Sequence, residues 1–176
     1  MTPGPTSGGT KSRHAAALLV SVAFYVASCS LPAVTLHAGE HVYARDLTQS
    51  WTWDGHESLS GADLLFTGWM GLMLGNFAVL ANPLLWFSWL FFWSRRDRRA
   101  VVCASGALVF AMLTFQLLVQ PYYLDEAGVR LGYLESLEIG FLCWVGSMAF
   151  VFVSSLWAWR GAKKGGRGKP PVLLTG

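Results

Sequence analysis

A chain of 176 residues with 53% hydrophobic and only 13% charged residues lies on the membrane side of ordinary globular usage, in which about 25% of residues are charged. It has room for one compact bundle and no separate soluble domain, and its three cysteines, Cys29, Cys103 and Cys143, form no C-x-x-C pair, which excludes the usual signature of dithiol redox chemistry or a structural zinc site. The net charge of +3 hides a strong polarity: 11 of 13 Lys and Arg fall in the N-terminal tail (Lys11, Arg13), at Arg95, Arg96, Arg98 and Arg99, and in the C-terminal tail (Arg160, Lys163, Lys164, Arg167, Lys169), while nine of the ten acids fall in or beside two other links.

Charges sorted in this way are expected of a membrane protein, because Lys and Arg stay on the cytoplasmic side during insertion. The reading is an all-α, polytopic four-helix membrane bundle with both termini cytoplasmic. Residues 1–14 are Gly-, Pro-, Ser- and Thr-rich and are expected to be disordered. Residues 15–36 are long enough for the first span, since a hydrocarbon core of about 30 Å needs about 20 helical residues, and Pro32 falls near its outer end. A basic start, an apolar run and Val26-Ala27-Ser28-Cys29 also match the pattern cleaved in bacterial lipoprotein precursors. Apolar character that continues through Val34, with three more spans behind it, suits an ordinary anchor better.

The link at 37–60 carries one Arg against four acids and is placed outside, with Trp51 and Trp53 suited to an interface. It contains His37-Ala38-Gly39-Glu40-His41, which fits the H-x-x-E-H spacing of reversed zinc peptidases; His56 and Asp54 lie in the same link. Gly39 weakens a helix there and the link is too short to wall a substrate cleft. The expectation is a solvated polar loop and no metal, with His37, Glu40 and His41 as the metal candidate set aside.

The stretch 61–93 is too long for one perpendicular span: its 33 residues would make a helix of about 50 Å. The expectation is a short interfacial helix over 61–70 and a second span over 71–93. Inside that span Gly71 and Gly75 form a G-x-x-x-G that lets another helix approach, Asn76 and Asn82 need partners across the bundle, and Pro83 follows. Residues 94–99 are a tight turn. The third span covers 100–120, with a small-residue cluster at Ala104, Ser105, Gly106, Ala107 and Ala111 and with Thr114 and Gln116 as polar members. Pro121 stops it. The fourth span covers 139–159. The basic tail 160–176 is expected to be an unfolded arm whose cations Arg160, Lys163, Lys164, Arg167 and Lys169 bind anionic lipid rather than nucleic acid.

The missing chemistry is informative. No His lies inside a span, so a bis-histidine haem cannot be built. No charged residue lies mid-span, so the carboxylate of a proton-coupled exporter is lacking. No P-loop or G-x-S-x-G is present. No enzyme activity and no cofactor are expected.

The run Gly68-Trp69-Met70-Gly71 through Gly75-Asn76 to Ala81-Asn82-Pro83-Leu84-Leu85-Trp86, with the polar loop and the Gly132-Tyr133 approach to the fourth stretch, resembles a type of small bacterial four-span protein with no known activity. The resemblance implies the topology and a place in a bacterial inner membrane and adds no mechanism. The function expected is that of a small non-enzymatic membrane protein acting by helix packing, as accessory subunit or assembly partner of a membrane complex, with a homo-oligomer or another membrane protein as partner. The alternatives are an immunity protein against a pore-forming toxin and an oligomeric channel, holin or transporter lined by Asn76, Asn82, Thr114 and Gln116.

Overall fold

The computed structural model describes residues 8–43, 49–73, 75–119, 122–124 and 130–166. Helix α1 (Gly8–Ser30) leads into strands β1 (Pro32–Tyr43) and β2 (Gln49–Ser60). Helix α2 (Gly61–Met73) follows, then a 3-10 turn (Ala78–Leu80) that runs into α3 (Ala81–Trp93), and then α4 (Asp97–Met112), which continues as a 3-10 segment (Leu113–Leu118). Strands β3 (Tyr122–Tyr123) and β4 (Arg130–Leu137) lead into α5 (Ile139–Gly166). The protein is mostly helical, and three stretches are long and apolar enough to cross a membrane: Ser12–Ser30, Asp97–Leu118 and Ile139–Lys163. The fourth apolar helix, Ala78–Trp93, is shorter; its 16 residues reach about 24 Å, below the ~30 Å of a hydrocarbon core.

Contacts between the helices set an alternating up-and-down order. Ser21 meets Ser147 and Phe24 lies beside Gly146, so α1 and α5 are antiparallel. Tyr25 meets Trp86 and His14 stacks on Phe92, so α1 and α3 are too. Leu84 lies against Gly106 and Phe91 beneath Arg99, which makes α3 and α4 antiparallel. On α4, Ala100, Ala104, Ala107 and Ala111 are fully buried. Their spacing puts them on one face, and their small side chains let Leu85 of α3 and Met148 and Val151 of α5 approach closely in the main core.

At the centre of the bundle, Ser21 Oγ donates to the Ser147 carbonyl at 2.9 Å and Ser147 Oγ donates to the Ser21 carbonyl at 2.8 Å. Trp89 Nε1 donates to Ser21 Oγ at 2.9 Å. Three helices thus share one polar node whose two serines are completely buried.

The sheet corrects the all-α expectation. Its order is β2-β1-β4-β3, with every pair antiparallel. The first helix stops at Ser30 rather than at residue 36, because Pro32 has no N–H to donate and disfavours helix at Leu31. From Val34 the pattern changes period: Val34, Leu36 and Ala38 are buried while His37 is exposed. This alternation suits a strand with one covered face. The inner face packs Val34, Leu36 and Leu134 on Leu117. The described residues therefore fold as three long helices, two shorter ones and a sheet that caps one end.

The second apolar stretch also differs from expectation. At its start, Ser60 N–H and Oγ–H donate to Asp63 Oδ2 at 2.9 and 2.7 Å, and Asp63 N–H donates to Ser60 Oγ at 3.2 Å, a reciprocal cap that fixes the first turn of α2. Those donors hold the Asp63 carboxyl below its ordinary pKa. At its end, Gly75 adopts φ +79°, with Gly75 N–H bonded to the Leu72 carbonyl at 3.1 Å and Asn76 N–H to the Gly71 carbonyl at 2.8 Å. This is a left-handed helix stop. The G-x-x-x-G is accordingly the end of α2 and not a packing face inside a span. Pro83 falls in the first turn of α3, where its missing N–H costs little.

The tails are more helical than expected. Helix α1 begins at Gly8, and its first turns are held where His14 stacks on Phe92 at 4.7 Å and approaches Asp97 at 3.6 Å. Helix α5 runs on through Gly166, with the Lys163 ammonium over the Trp159 ring at 4.2 Å. Arg167 and Lys169 lie outside the described residues.

The end of α3 repeats the left-handed stop with a side chain in place: Arg95 has φ 57°, and its N–H and that of Arg96 bond to the Phe92 and Phe91 carbonyls. An L-residue pays roughly 1–2 kcal/mol there. Arg95→Gly is expected to raise unfolding stability by about 1 kcal/mol and Gly75→Ala to lower it by about the same, read by reversible detergent denaturation followed by tryptophan fluorescence. In the same assay Ser21→Ala, which strips partners from Trp89 N–H and the Ser147 carbonyl, is expected to cost about 1–2 kcal/mol. A double-mutant cycle with Trp89→Phe should show coupling.

Candidate pocket beneath the sheet

Several close approaches draw the helix ends together under the sheet. A Cβ on Gly61 would lie 2.3 Å from the Ser28 carbonyl oxygen, and one on Gly140 would lie 2.5 Å from that of Pro32. Both positions therefore require glycine where α2 and α5 start against the end of α1. Gly68 faces Val79, which a Cβ would meet at 2.9 Å, so α2 folds back on the 3-10 turn before α3.

Because α2 ends at its left-handed stop and α3 begins only at Ala81, that side of the bundle has no continuous helix next to the sheet. A pocket of about 700 Å³, part of it open to the surroundings, occupies this level. Its walls come from α1 (Tyr25, Ser28), α2 (Leu65, Gly68), the 3-10 segment after α4 (Thr114, Leu117) and α5 (Phe141, Trp144).

Its polar groups are few and mostly committed. Asn82 Oδ1 accepts from Trp144 Nε1 at 2.9 Å, which ties α3 to α5. Asn76 Oδ1 accepts from the Ala78 N–H at 2.9 Å and so starts the 3-10 turn. Asn82 thus finds the cross-bundle partner expected of it, whereas the bond Asn76 makes is local. Thr114 is buried on the wall.

Of the residues singled out from the sequence, Gly71, Asn76 and Asn82 line this pocket. Gly75 sits at the turn beside it with open space around it, and Pro83 follows Asn82 in α3. Gln116 is not part of the lining; its Oε1 is buried without a hydrogen-bond partner among the described residues. Arg160 and Lys163 are exposed on the continued α5, and the side chain of Lys164 lies outside the described ones. Cys29, Cys103 and Cys143 are free thiols. The sequence reading missed the contributions of Tyr25, Phe141 and Trp144. Nothing in their spacing marks them, since the pocket forms only once α2 folds back.

The metal candidate His37, Glu40 and His41 is overturned as a helical constellation. H-x-x-E-H holds one ion only when a helix stacks its two histidines, and here both lie on β1. Four residues along a strand separate them by about 13 Å. The side chains of Glu40 and His41 lie outside the described ones.

A scan of the chain against protein-family models matches none, and comparison with curated proteins and with solved structures finds no match.

Asn82→Leu removes the acceptor of the buried Trp144 N–H and is expected to lower stability by about 1–2 kcal/mol. A blue shift of tryptophan emission would report the loss of that bond, and Asn82→Gln should recover part of it.

Proposed function

We propose that the protein is a small non-enzymatic integral protein of a bacterial inner membrane, serving as accessory subunit or assembly partner of a larger membrane complex. In this reading α1, α3, α4 and α5 all cross the bilayer, and α2 lies at the outer interface. Tilt, local thinning and the adjoining 3-10 turn accommodate the short α3. The Arg95–Arg99 turn and both termini face the cytoplasm, in keeping with their cations. The sheet, with the acids beside it, faces out. Exposed apolar side chains on α1, α3, α4 and α5 support this placement: Leu19, Val102, Val109, Phe87, Leu142 and Val153 are each more than half exposed.

The observation that carries the proposal is the partly open, mainly apolar pocket beneath the sheet. Helix α2 lines the pocket with Leu64, Leu65, Gly68 and Gly71 and leaves Phe66, Trp69 and Met73 exposed on its other face. A transmembrane segment of a partner, inserting an apolar side chain into the pocket, would complete the bundle through interactions of the packing type that drives helix association in lipid. The grouping of Asn76, Asn82 and Thr114 favours a second reading, an oligomeric channel or transporter, for which flux into liposomes sensitive to Asn76→Ala is the test.

A photo-crosslinking amino acid at Phe66, introduced in cells, is expected to give a discrete protein adduct absent when the same group replaces Val109 on α4. Leu65→Trp, which fills the pocket, is expected to abolish that adduct and co-purification in mild detergent while leaving the yield of folded protein unchanged. Adducts to lipid alone at both positions, with a clean monomer in detergent, would overturn the proposal.

A further inference from the structure

The outer face of the sheet carries a constellation unrelated to the pocket. His37 on β1 and His56 on β2 are direct cross-strand partners, with ring centroids 5.6 Å apart. On the other side of β1, the pairing with β4 shifts register between Thr35 and Leu36, so that Ser136 faces Thr35 and Leu134 faces Leu36. Glu135 is the extra residue at that irregularity, and such a bulge redirects a side chain. Its carboxylate reaches across β1, placing Oε2 2.5 Å from His56 Nδ1. One ligand atom from each of His37, His56 and Glu135 lies within 4.8 Å of the other two, and all three residues are exposed.

We propose that these three residues form a solvent-facing binding site for a divalent transition-metal ion of the zinc or copper(II) type. The donor set is two imidazoles and one carboxylate, which suits such ions better than calcium or magnesium, whose ligands are oxygens. In a tetrahedral site with metal–ligand distances of about 2.0–2.2 Å the donors sit about 3.3 Å apart. The present spacing closes to that value by small rotations of exposed side chains, with the backbone already fixed by three paired strands. A sheet is a firm base for such a site, because the separation of His37 and His56 is set by register and not by a loop. The His56–Glu135 contact gives way to the ion, and both groups keep their roles as donors.

Three protein ligands leave at least one coordination position to water. A closed four-ligand site would be structural, whereas this arrangement is open to exchange. The ion would therefore sit on the face of the sheet turned away from the helices, where it can be taken up from solution or receive a fourth ligand from outside. This inference is independent of the assembly role proposed for the pocket, since it uses none of the same side chains.

The test is calorimetric titration of the full-length, tag-free protein in detergent with zinc chloride, repeated with copper(II). The expected result is one saturable site per chain, with affinity reduced at least tenfold in His56→Ala and in Glu135→Gln and unchanged in His14→Ala. Cobalt(II) absorption of the unmutated protein supplies a second readout that needs no variant to fold: ligand-field bands of a four- or five-coordinate ion, displaced by zinc, are expected. Heats equal to those of a His37→Ala/His56→Ala/Glu135→Gln triple variant, together with a spectrum no different from hexaaquo cobalt, would overturn the proposal. So would binding that survives in the triple variant but is lost in His41→Ala.

Discussion

The reciprocal bond between Ser21 and Ser147, with Trp89 as a third member, is the constraint on which the helical part depends. A serine hydroxyl buried without a partner costs free energy wherever water is excluded. Here each hydroxyl reaches the backbone carbonyl of the opposite helix, at 2.9 and 2.8 Å. Such bonds form only if the two backbones are close and in one register, so they exclude sliding of α1 along α5. Trp89 then fixes α3 against the same point through its N–H. In the membrane setting proposed, no apolar driving force distinguishes helix from lipid, and directional contacts of this kind decide which neighbours α1 has.

That register has consequences at the end of the bundle. With α1 and α5 locked at their centres, Ser30 and Ile139 emerge side by side, and the strands that adjoin them, β1 and β4, pair directly. The sheet is thus an extension of the helix pair. Its inner face has only to cover the helix ends, which Val34, Leu36 and Leu134 do against Leu117. Gly61 and Gly140 permit the tight junctions, where any side chain would strike the carbonyl of Ser28 or Pro32. The outer face is left polar and holds His37, His56 and Glu135.

Much of the helical scaffold was legible in the sequence, and the reasons it was not all legible are specific. The start of α5 at Ile139, a turn within 94–99 and the small-residue cluster of α4 follow from apolar runs bounded by charge, although α4 begins already at Asp97 and not at residue 100. The strand at Val34, Leu36 and Ala38 was hidden because its two-residue alternation begins inside the apolar run that ends α1, where hydropathy alone reads on as helix. Gly71 and Gly75 illustrate another limit. Two glycines four apart serve equally as a packing face or as the last turn and left-handed stop of a helix, and only the hydrogen bonds from Gly75 and Asn76 decide between them. The grouping of His56 with Glu135, 79 residues apart, was out of reach because it depends on strand order.

The break between α2 and α3 then follows as a consequence of local chemistry and not of any weakness in the bundle. Ser60 and Asp63 define where α2 begins, Gly75 where it ends, and Asn76 starts the next turn through its bond to the Ala78 N–H. These are strong local instructions, and they divide a stretch that hydropathy alone would carry straight through. A continuous helix over 61–93 would have filled the side of the bundle next to the sheet and left no pocket. The chain instead folds α2 back against Val79, and the buried amide of Asn82, bonded to Trp144, lines the space that is left. A sequence that uses a reciprocal cap, a left-handed glycine and an asparagine turn within 20 residues to interrupt an apolar helix is maintaining that space, and the proposed function is the use to which such a space is best suited.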